Sequence, residues 1–592
     1  MRRTVLGIEQ SLSGRRWCAR SHDDRATFAL ADRLGISELL ARVLVARGVN
    51  LETADRALDP TLRALLPDPS TITDMDKAAE RLADAIERRE QIAVFGDYDV
   101  DGATSTALLT RFLRSLGADP LRYIPDRIAE GYGPNEAAMD QLAGQGAKLV
   151  VTVDCGTLAY KPLERAAALG MDLIVSDHHL AEPHLPIAHA VVNPNRLDDT
   201  SGLGMLAAVG VTFMLVIATN RALRERGYFD GEAEPNPLDW LDLVALGTVA
   251  DVVPLEGLNR AFVTQGLKIA GRRANAGLTS LFDIARVDEP PSPYHMGYVI
   301  GPRVNAGGRV GEAGLGTELL ICDDPLAARP MAEALDRHNS ERRAIEAAVL
   351  EAAQAQAHNA YTGNREHAPL IAVADKGWHP GVIGIVASRI KDRFRRPSLV
   401  LSIGEDGLAK GSGRSVLGVD LGRAVTAALE AGLLVNGGGH KMAAGLTVEA
   451  AKIDALQDFL EERLAGPVRE AMASHELGVD GVVAVSGATL QLIEDVHRAG
   501  PFGAGNPEPR FAIAEAHVVQ SKPVGDGSHV HAVLSDKAGG RLTAIGFGLT
   551  DTPLGQHLLA RQAPLHLAGH IRANHFNGRV SAQLIIEDGA LI

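Results

Sequence analysis

Residues 94–109, VFGDYDVDGATSTALL, close a short apolar run and then place Asp97, Asp99 and Asp101 at every second position. Three carboxylates so close repel one another, and ionising them together is costly unless a positive charge sits among them. The run that leads into them, IAVFG, reads as a buried strand, and the residues that follow read as a helix that Thr104 or Ser105 could cap. Read as extended chain, Asp99 and Asp101 project to the same side.

The same arrangement recurs downstream. AKLVVTVDCG is a buried strand ending at Asp154, and MDLIVSDHH is another, ending at Asp177, His178 and His179. SLGADPLRYIPDR holds a loop and a short strand, AHAVVNPN a further strand, and KPLERAAALG one of the helical segments between them. Strand–helix alternation of this kind predicts an α/β fold with a mostly parallel, doubly wound sheet. In such a sheet the carboxyl ends of the strands line one edge, where ligands bind. Acids far apart in sequence therefore converge on one crevice. Asp251, in LVALGTVADVVPLEG, follows an apolar run and is a late contributor to the same edge.

A lone Asp after a strand is ordinarily a turn former or a helix cap, and neighbouring histidines are ordinarily surface residues. Four such sites on one sheet edge instead predict a metal centre. Carboxylates with one or two imidazoles and no thiolate favour Mn2+ or Mg2+ over zinc. The acids suffice to bridge two divalent cations, an arrangement suited to phosphoryl chemistry. No GxxxxGK[ST] sequence is present, so nothing suggests an ATP-driven motor.

The 592 residues are too many for one hydrophobic core. The texture predicts a helical N-terminal extension (1–75), a parallel-sheet domain (76–323), a connecting helix (324–360), a smaller α/β domain (361–470) and a C-terminal β-barrel (471–592). The connecting segment lacks glycine, spans roughly 50 Å as a helix, and places Pro330 in its first turn. Cys18, Cys155 and Cys322 form no CxxC pair, and Cys155 reads as a small buried hydrophobe. The net charge of −15 is unusual for a passive nucleic-acid binder. A polyanionic substrate would then need a basic surface confined to a groove, with part of the acidity spent on metal ligands. No apolar run is long enough for a bilayer and no signal-peptide stretch opens the chain, which argues for a cytoplasmic protein with no membrane partner.

GDYDVDG, VDCG, SDHH and GTVADVVPL resemble the four successive motifs of the DHH phosphoesterase superfamily, and the chain from about residue 75 onward resembles its RecJ-type exonucleases. The resemblance implies a metal-dependent 5′→3′ exonuclease that hydrolyses single-stranded DNA to 5′-mononucleotides in repair and recombination. It makes Asp99, Asp101, Asp154, His178 and Asp251 metal ligands and His179 a metal or phosphate contact, with Asp97 behind them, although spacing alone leaves Asp97 open as a ligand. Small relatives often carry a His before the first acid pair; Phe95 stands near that place here. GPRVNAGGR resembles the family segment facing the site, which makes Arg303, Asn305 and Arg309 candidate phosphate contacts, the alternative being a structural Gly-rich turn with exposed Arg. GSGRS and NGGGHKMAAG resemble the DHH-associated domain, adding Ser412, Arg414, Gly438, Gly439 and His440, and KGWHPGVIGIVASR resembles a RecJ-type segment in which His379 either points into the cleft or caps the following helix. GPFGAGNPEPRF resembles the entry to the RecJ OB-fold, where Phe511, Phe547 and Phe576 are the main aromatics and Lys522, Arg541, Arg572 and Arg579 candidate backbone contacts. Single-strand-binding protein and a RecQ-type helicase are the implied partners of a monomer. The alternative is a small-molecule or oligonucleotide phosphodiesterase of the same superfamily; a non-enzymatic replication scaffold is disfavoured because every motif acid is intact.

Overall fold

A computed structural model describes residues 3–20, 23–127, 129–231, 233–473, 476–561, 563–576 and 578–592. The chain divides into two compact units. One holds residues 67–253 and 265 onward to the helix Ile453–Ala473; the other holds the residues up to Leu66, Pro254–Thr264 and the chain from Glu476.

The first unit is built on five parallel strands: β1 (Ile92–Phe95), β2 (Leu121–Tyr123), β3 (Leu149–Val153), β4 (Asp172–Ser176) and β5 (Ala190–Val192). They lie in the order β2-β1-β3-β4-β5. β1 and β3 are buried along their whole length, as expected of strands covered on both faces. One face carries a core of Phe95, Met139, Leu142, Val150, Leu163 and Val175. The other packs α1 (Val100–Ser115) and α2 (Ala208–Glu225), against which α3 (Leu241–Ala250) in turn packs.

α1 begins earlier than the sequence suggests. Its cap is Asp99, whose Oδ1 accepts from the N–H groups of Asp101 and Gly102 at 2.9 and 3.1 Å. Thr104 and Ser105 lie inside the helix and are buried, and Thr104 Oγ1 donates back to the Val100 carbonyl. Asp101 is thus a first-turn helical residue, not part of an extended segment. Gly102 is required by close approach: a Cβ there would lie 2.5 Å from the Asp97 carbonyl oxygen.

α4 (Pro325–Ala360) is a single helix of 36 residues, capped by Asp324. Pro325 occupies its first turn, and Pro330 lies inside it, one turn later than the sequence reading placed it. Beyond it, β6 (Ile371–Lys376), β7 (Ser398–Ile403), β8 (Leu408–Arg414), β9 (Asn436–His440) and β10 (Ala443–Glu449) form a mixed sheet in the order β9-β10-β8-β7-β6.

In the second unit, β11 (Gly481–Val483), β12 (Phe511–Val524), β13 (His529–Ser535), β14 (Arg541–Gly546), β15 (Leu565–Phe576) and β16 (Arg579–Leu591) form one sheet. The β12–β15 pairing closes it into a barrel. The barrel is not wholly antiparallel: β11–β12 and β14–β16 run parallel. Phe511 lies in its core, whereas Phe547 and Phe576 are exposed. The N-terminal segment is not only helix and loop. Arg16–Ala19 pairs in parallel with Glu476–Val479, and the buried Trp17 donates its indole N–H to Asp588 at 2.9 Å. Among the described residues no helix is long and apolar enough to cross a membrane.

Candidate metal centre and phosphate pocket

The strand order turns back between β1 and β3, and a crevice opens at the carboxyl ends of strands at such a reversal. The loop after β1 carries Asp97 and Asp99; Asp154 follows β3; Asp177, His178 and His179 follow β4. Asp251 arrives from the C-terminal end of α3. Among the described residues three sets of donors result, each with its ligand atoms within 4.8 Å of one another: Asp97, Asp99 and Asp154; Asp101, His178 and Asp251; and Asp154, His178 and His179. His178 Nε2 is the hub, 3.4 Å from Asp154, 3.8 Å from Asp251 and 4.0 Å from Asp101. Its Nδ1 lies 3.0 Å from the Leu206 carbonyl. That contact places the proton on Nδ1 and leaves the Nε2 lone pair free for a cation.

Each donor is held by a different device. Asp101 accepts the N–H groups of Ala208 and Val209 at the start of α2, at 2.7 and 2.9 Å. Asp154 has φ +61°, a left-handed conformation rare outside glycine. Asp177 accepts from the N–H groups of Thr157, His178 and His179, and from His179 Nδ1 at 2.8 Å. Asp177 orients the His-His pair; it is not one of the gathered donors. Tyr132 Oη donates to the Asp154 carbonyl at 3.0 Å and lies 3.1 Å from His179 Nδ1.

The electrostatics call for a cation. Burial, then the neighbouring acids, pushes Asp154 well above the carboxylate range, and burial with Asp99 does the same to Asp97. Asp101 is pushed up to about 6 and Asp251 to about 8, mainly by burial. Asp97 Oδ1 is buried without a hydrogen-bond partner. Burial opposes charging His179, but the Asp177 carboxylate overrides it and lifts the imidazole to about 9. Cys155 is no competitor, since burial holds its thiol protonated. Carboxylates plus imidazole, with an orphaned acceptor among them, fit Mn2+ or Mg2+.

Beside this centre lies a cavity of about 520 Å3, lined by Arg127, Arg309, Ser412, Arg414, Gly437, Gly438 and the start of the helix Ile383–Phe394. Among the described residues its three arginines form no ion pair. Arg309 Nη1 donates to the Gly381 carbonyl, and Arg414 Nη1 to Ser412 Oγ and the Gly413 carbonyl. Burial, then Arg127 and Arg342, lowers Arg309 to about 10. Three crowded guanidiniums and a helix N-terminus make an anion site. Arg127 also lies 4.8 Å over the ring of Tyr98, the residue between Asp97 and Asp99, which joins pocket and metal centre.

The chain matches the models for the DHH family N-terminal domain over residues 91–248, the DHHA1 domain over 367–466 and the RecJ OB domain over 479–588. It is 38 % identical to the single-stranded-DNA-specific exonuclease RecJ of Dickeya dadantii, across 93 % of this chain and 95 % of that one. The chain belongs to the RecJ family. The RecJ of Bacillus subtilis is 34 % identical over 97 % of this chain and 71 % of its own length. Thermus thermophilus RecJ in complex with Mn2+ superposes with a TM-score of 0.79 at 29 % identity, covering 95 % of this chain and 78 % of that one.

Within this RecJ-family fold the expected phosphate contacts separate. Arg309, Ser412, Arg414 and Gly438 line the pocket. Arg303 does not: it binds Asp336 at 2.9 Å and the Val299 carbonyl. His379 Nδ1 accepts from the Gly381 N–H, capping the turn before the pocket helix. Asn305 leaves its Oδ1 buried and without a partner. Gly439 and His440 lie at the exposed end of β9, outside the lining residues. Arg127 and Tyr132 were missed by sequence reasoning. Both sit in the loop after β2, and only their place in a fourth strand-end loop hinted at the site.

Proposed function

We propose that this RecJ-family chain is a metal-dependent exonuclease that degrades single-stranded DNA from the 5′ end to 5′-mononucleotides, in DNA repair and recombination. The observation that carries the reading is the junction of the acid–imidazole cluster with the three-arginine pocket through Tyr98 and Arg127. Asp97, Asp99, Asp101, Asp154, His178 and Asp251 would hold two divalent cations, Mn2+ or Mg2+. Ions bound there would supply Lewis acidity toward a phosphoryl group and toward water.

The protein's own groups do the rest. Arg127, Arg309 and Arg414 hold a terminal phosphate, bringing the next phosphodiester to the acids. His179, oriented by Asp177 through its Nδ1, turns Nε2 toward the centre as a metal or phosphate contact. Ser412 and the N–H groups at the start of Ile383–Phe394 complete the anion cradle. The 5′ polarity rests on the family resemblance. Single-strand-binding protein and a RecQ-type helicase as partners, the monomeric state and a cytoplasmic location belong to the same reading.

The test is Mn2+-dependent release of nucleotides from 5′-phosphorylated, end-labelled single strands, blunt duplexes and dinucleotides. Single strands and 5′-tailed duplexes should be trimmed while blunt ends resist. Equal rates on blunt and tailed ends, or activity on dinucleotides alone, would refute the reading.

A further inference from the structure

The phosphate pocket holds more polar groups than one terminal phosphate uses. Its floor is one face of the mixed sheet, where directly paired residues point to the same side. Ser412 of β8 pairs with Gly445 of β10, which pairs with Gly438 of β9. Two residues along, the next row on that face is Lys410, Thr447 and Asn436. The rows are about 7 Å apart, two residues at roughly 3.3 Å each. All six residues line the cavity. A Cβ on Gly438 or Gly445 would meet nothing within 4 Å. The floor beside Ser412 is therefore bare backbone open to the cavity, and side chains resume one row further on, at Lys410.

Arg414 and the helix Ile383–Phe394 fix where a terminal phosphate sits. A Cβ on Gly384 would lie 3.0 Å from Arg414 Nη2 and 3.1 Å from Ser412 Oγ. Guanidinium, hydroxyl and the first helical turn thus meet at one point. Lys410 stands a row away from that point. It is exposed, and among the described residues it forms no ion pair. Charge counts the same way. Arg127, Arg309, Arg414 and Lys410 line the cavity, and among the described residues no carboxylate does. A monophosphate brings about two negative charges at neutral pH. Cations gathered out of water without their counter-charge are costly, so one phosphate leaves the Lys410 side of the cavity uncompensated.

We infer that the pocket also takes strands ending in a 5′-triphosphate, with Lys410, Thr447 and Asn436 holding the two outer phosphates while Arg309, Arg414 and Ser412 hold the α-phosphate. The inference rests on the single-strand exonuclease reading and adds a substrate class to it. The α-phosphate keeps the place of a terminal monophosphate, so the phosphodiester after the first nucleoside still reaches the acids. The oxygen of water bonds to that phosphorus, the P–O3′ bond breaks, and O3′ takes up a proton. The first nucleotide leaves as a nucleoside 5′-triphosphate with its anhydride bonds intact. The remaining strand carries a 5′-monophosphate and is degraded as any other. Ends of this kind belong to strands that a polymerase began without a primer, because the first nucleotide then keeps its triphosphate.

The test gives the full chain, with Mn2+, single-stranded oligonucleotides of one sequence that end in a 5′-monophosphate or a 5′-triphosphate. The parent should remove the first nucleotide from both at comparable rates. Anion-exchange chromatography should show the first product of the triphosphate strand as a nucleoside triphosphate, with no pyrophosphate or orthophosphate ahead of it. Lys410→Gln should slow the triphosphate end about tenfold, the worth of one charge-assisted hydrogen bond, and leave the monophosphate end unchanged. Lys410→Arg should behave as the parent. Lys410 is exposed, so circular-dichroism melting should be unaltered by either replacement. A second readout needs no turnover. In Asp154→Asn protein, inorganic tripolyphosphate should displace a fluorescent 5′-phosphorylated strand at lower concentration than orthophosphate, and Lys410→Gln should shrink that advantage. An advantage unchanged by Lys410→Gln would overturn the inference. So would equal slowing of both ends, slowing of neither, or pyrophosphate as the first product. If the parent degrades the monophosphate strand and spares the triphosphate strand, only this inference falls. If it degrades neither, the exonuclease reading falls and takes the inference with it.

Discussion

Asp154 is the most constrained residue of the centre. It is buried, sits at φ +61°, lies 3.4 Å from His178 Nε2 and belongs to two of the three donor sets. Asp154→Asn keeps the shape and removes the charge. Turnover should fall by more than the roughly 100-fold typical of an outer-shell change, while single-strand binding stays within about tenfold because the arginine pocket is untouched. Near-parental activity in excess Mn2+ would sink the assignment. Asp177 works through its neighbours: it orients His179 and accepts three backbone N–H groups. Asp177→Asn should reduce the Mn2+-dependent rate about 10- to 100-fold. It should also lower the pH at which His179 loses its proton, readable by imidazole NMR in the metal-free protein. A His179 titration unmoved by the change would contradict that role.

At the scale of elements, the centre depends on how closely α1, α2 and α3 approach one another. Gly247 of α3 makes the approach possible. A Cβ there would lie 2.3 Å from Thr104 Oγ1, 2.7 Å from Val209 Cγ1 and 3.0 Å from Asp101 Oδ1. Thr104 cannot easily swing away, because its hydroxyl is spent on the Val100 carbonyl. Gly247→Ala should destabilise the fold by about 1–3 kcal/mol through overpacking. Displacing Asp101 should weaken Mn2+ binding as well. Thermal melting and metal titration together check it; an unchanged metal affinity would show that Asp101 does not feel the helix contact. The sheet edge is equally an element-scale product. Asp97 and Asp154 meet because β1 and β3 are hydrogen-bonded neighbours, although those two acids stand 57 positions apart along the chain.

Across the whole molecule, the buried acids make stability depend on pH and metal together. Asp101 and Asp251 are raised to about 6 and about 8 in the fold, against about 4 in an unfolded chain. The folded state then binds more protons than the unfolded state, so stability falls as pH rises. The metal-free protein should lose thermal stability between about pH 4 and pH 8. Mn2+ should restore it most at the upper end, where the acids are ionised and paired. A metal-free melting temperature that rises steadily over this window would contradict the acid cluster. The barrel adds a salt term. Lys522, Arg541 and Arg579 are exposed on its strands. If all three touch phosphates, replacing each by Gln should flatten the salt dependence of binding a long strand by about 0.7 per contact. An unchanged slope would remove those residues from the DNA path.

What could be read from the sequence was whatever repeats locally. Apolar runs ending in acids disclosed the strand ends, and the strand–helix alternation disclosed a parallel sheet whose edge must gather Asp99, Asp101, Asp154 and His178. The glycine-free run before residue 360 disclosed the long helix. Cap and burial decisions were not legible, because they depend on groups distant in the chain. Asp99 rather than Thr104 caps α1 since the loop after β1 folds back onto Gly102. Phe511 joins the core while Phe547 and Phe576 stay outside, since the barrel closes through β12 and β15. Arg303 turns to Asp336 on α4 and leaves the pocket to Arg309 and Arg127. Local pattern records which side chains can do chemistry at a strand end. Which of them meet is set by long-range packing, where one carboxylate within reach of a guanidinium redirects it.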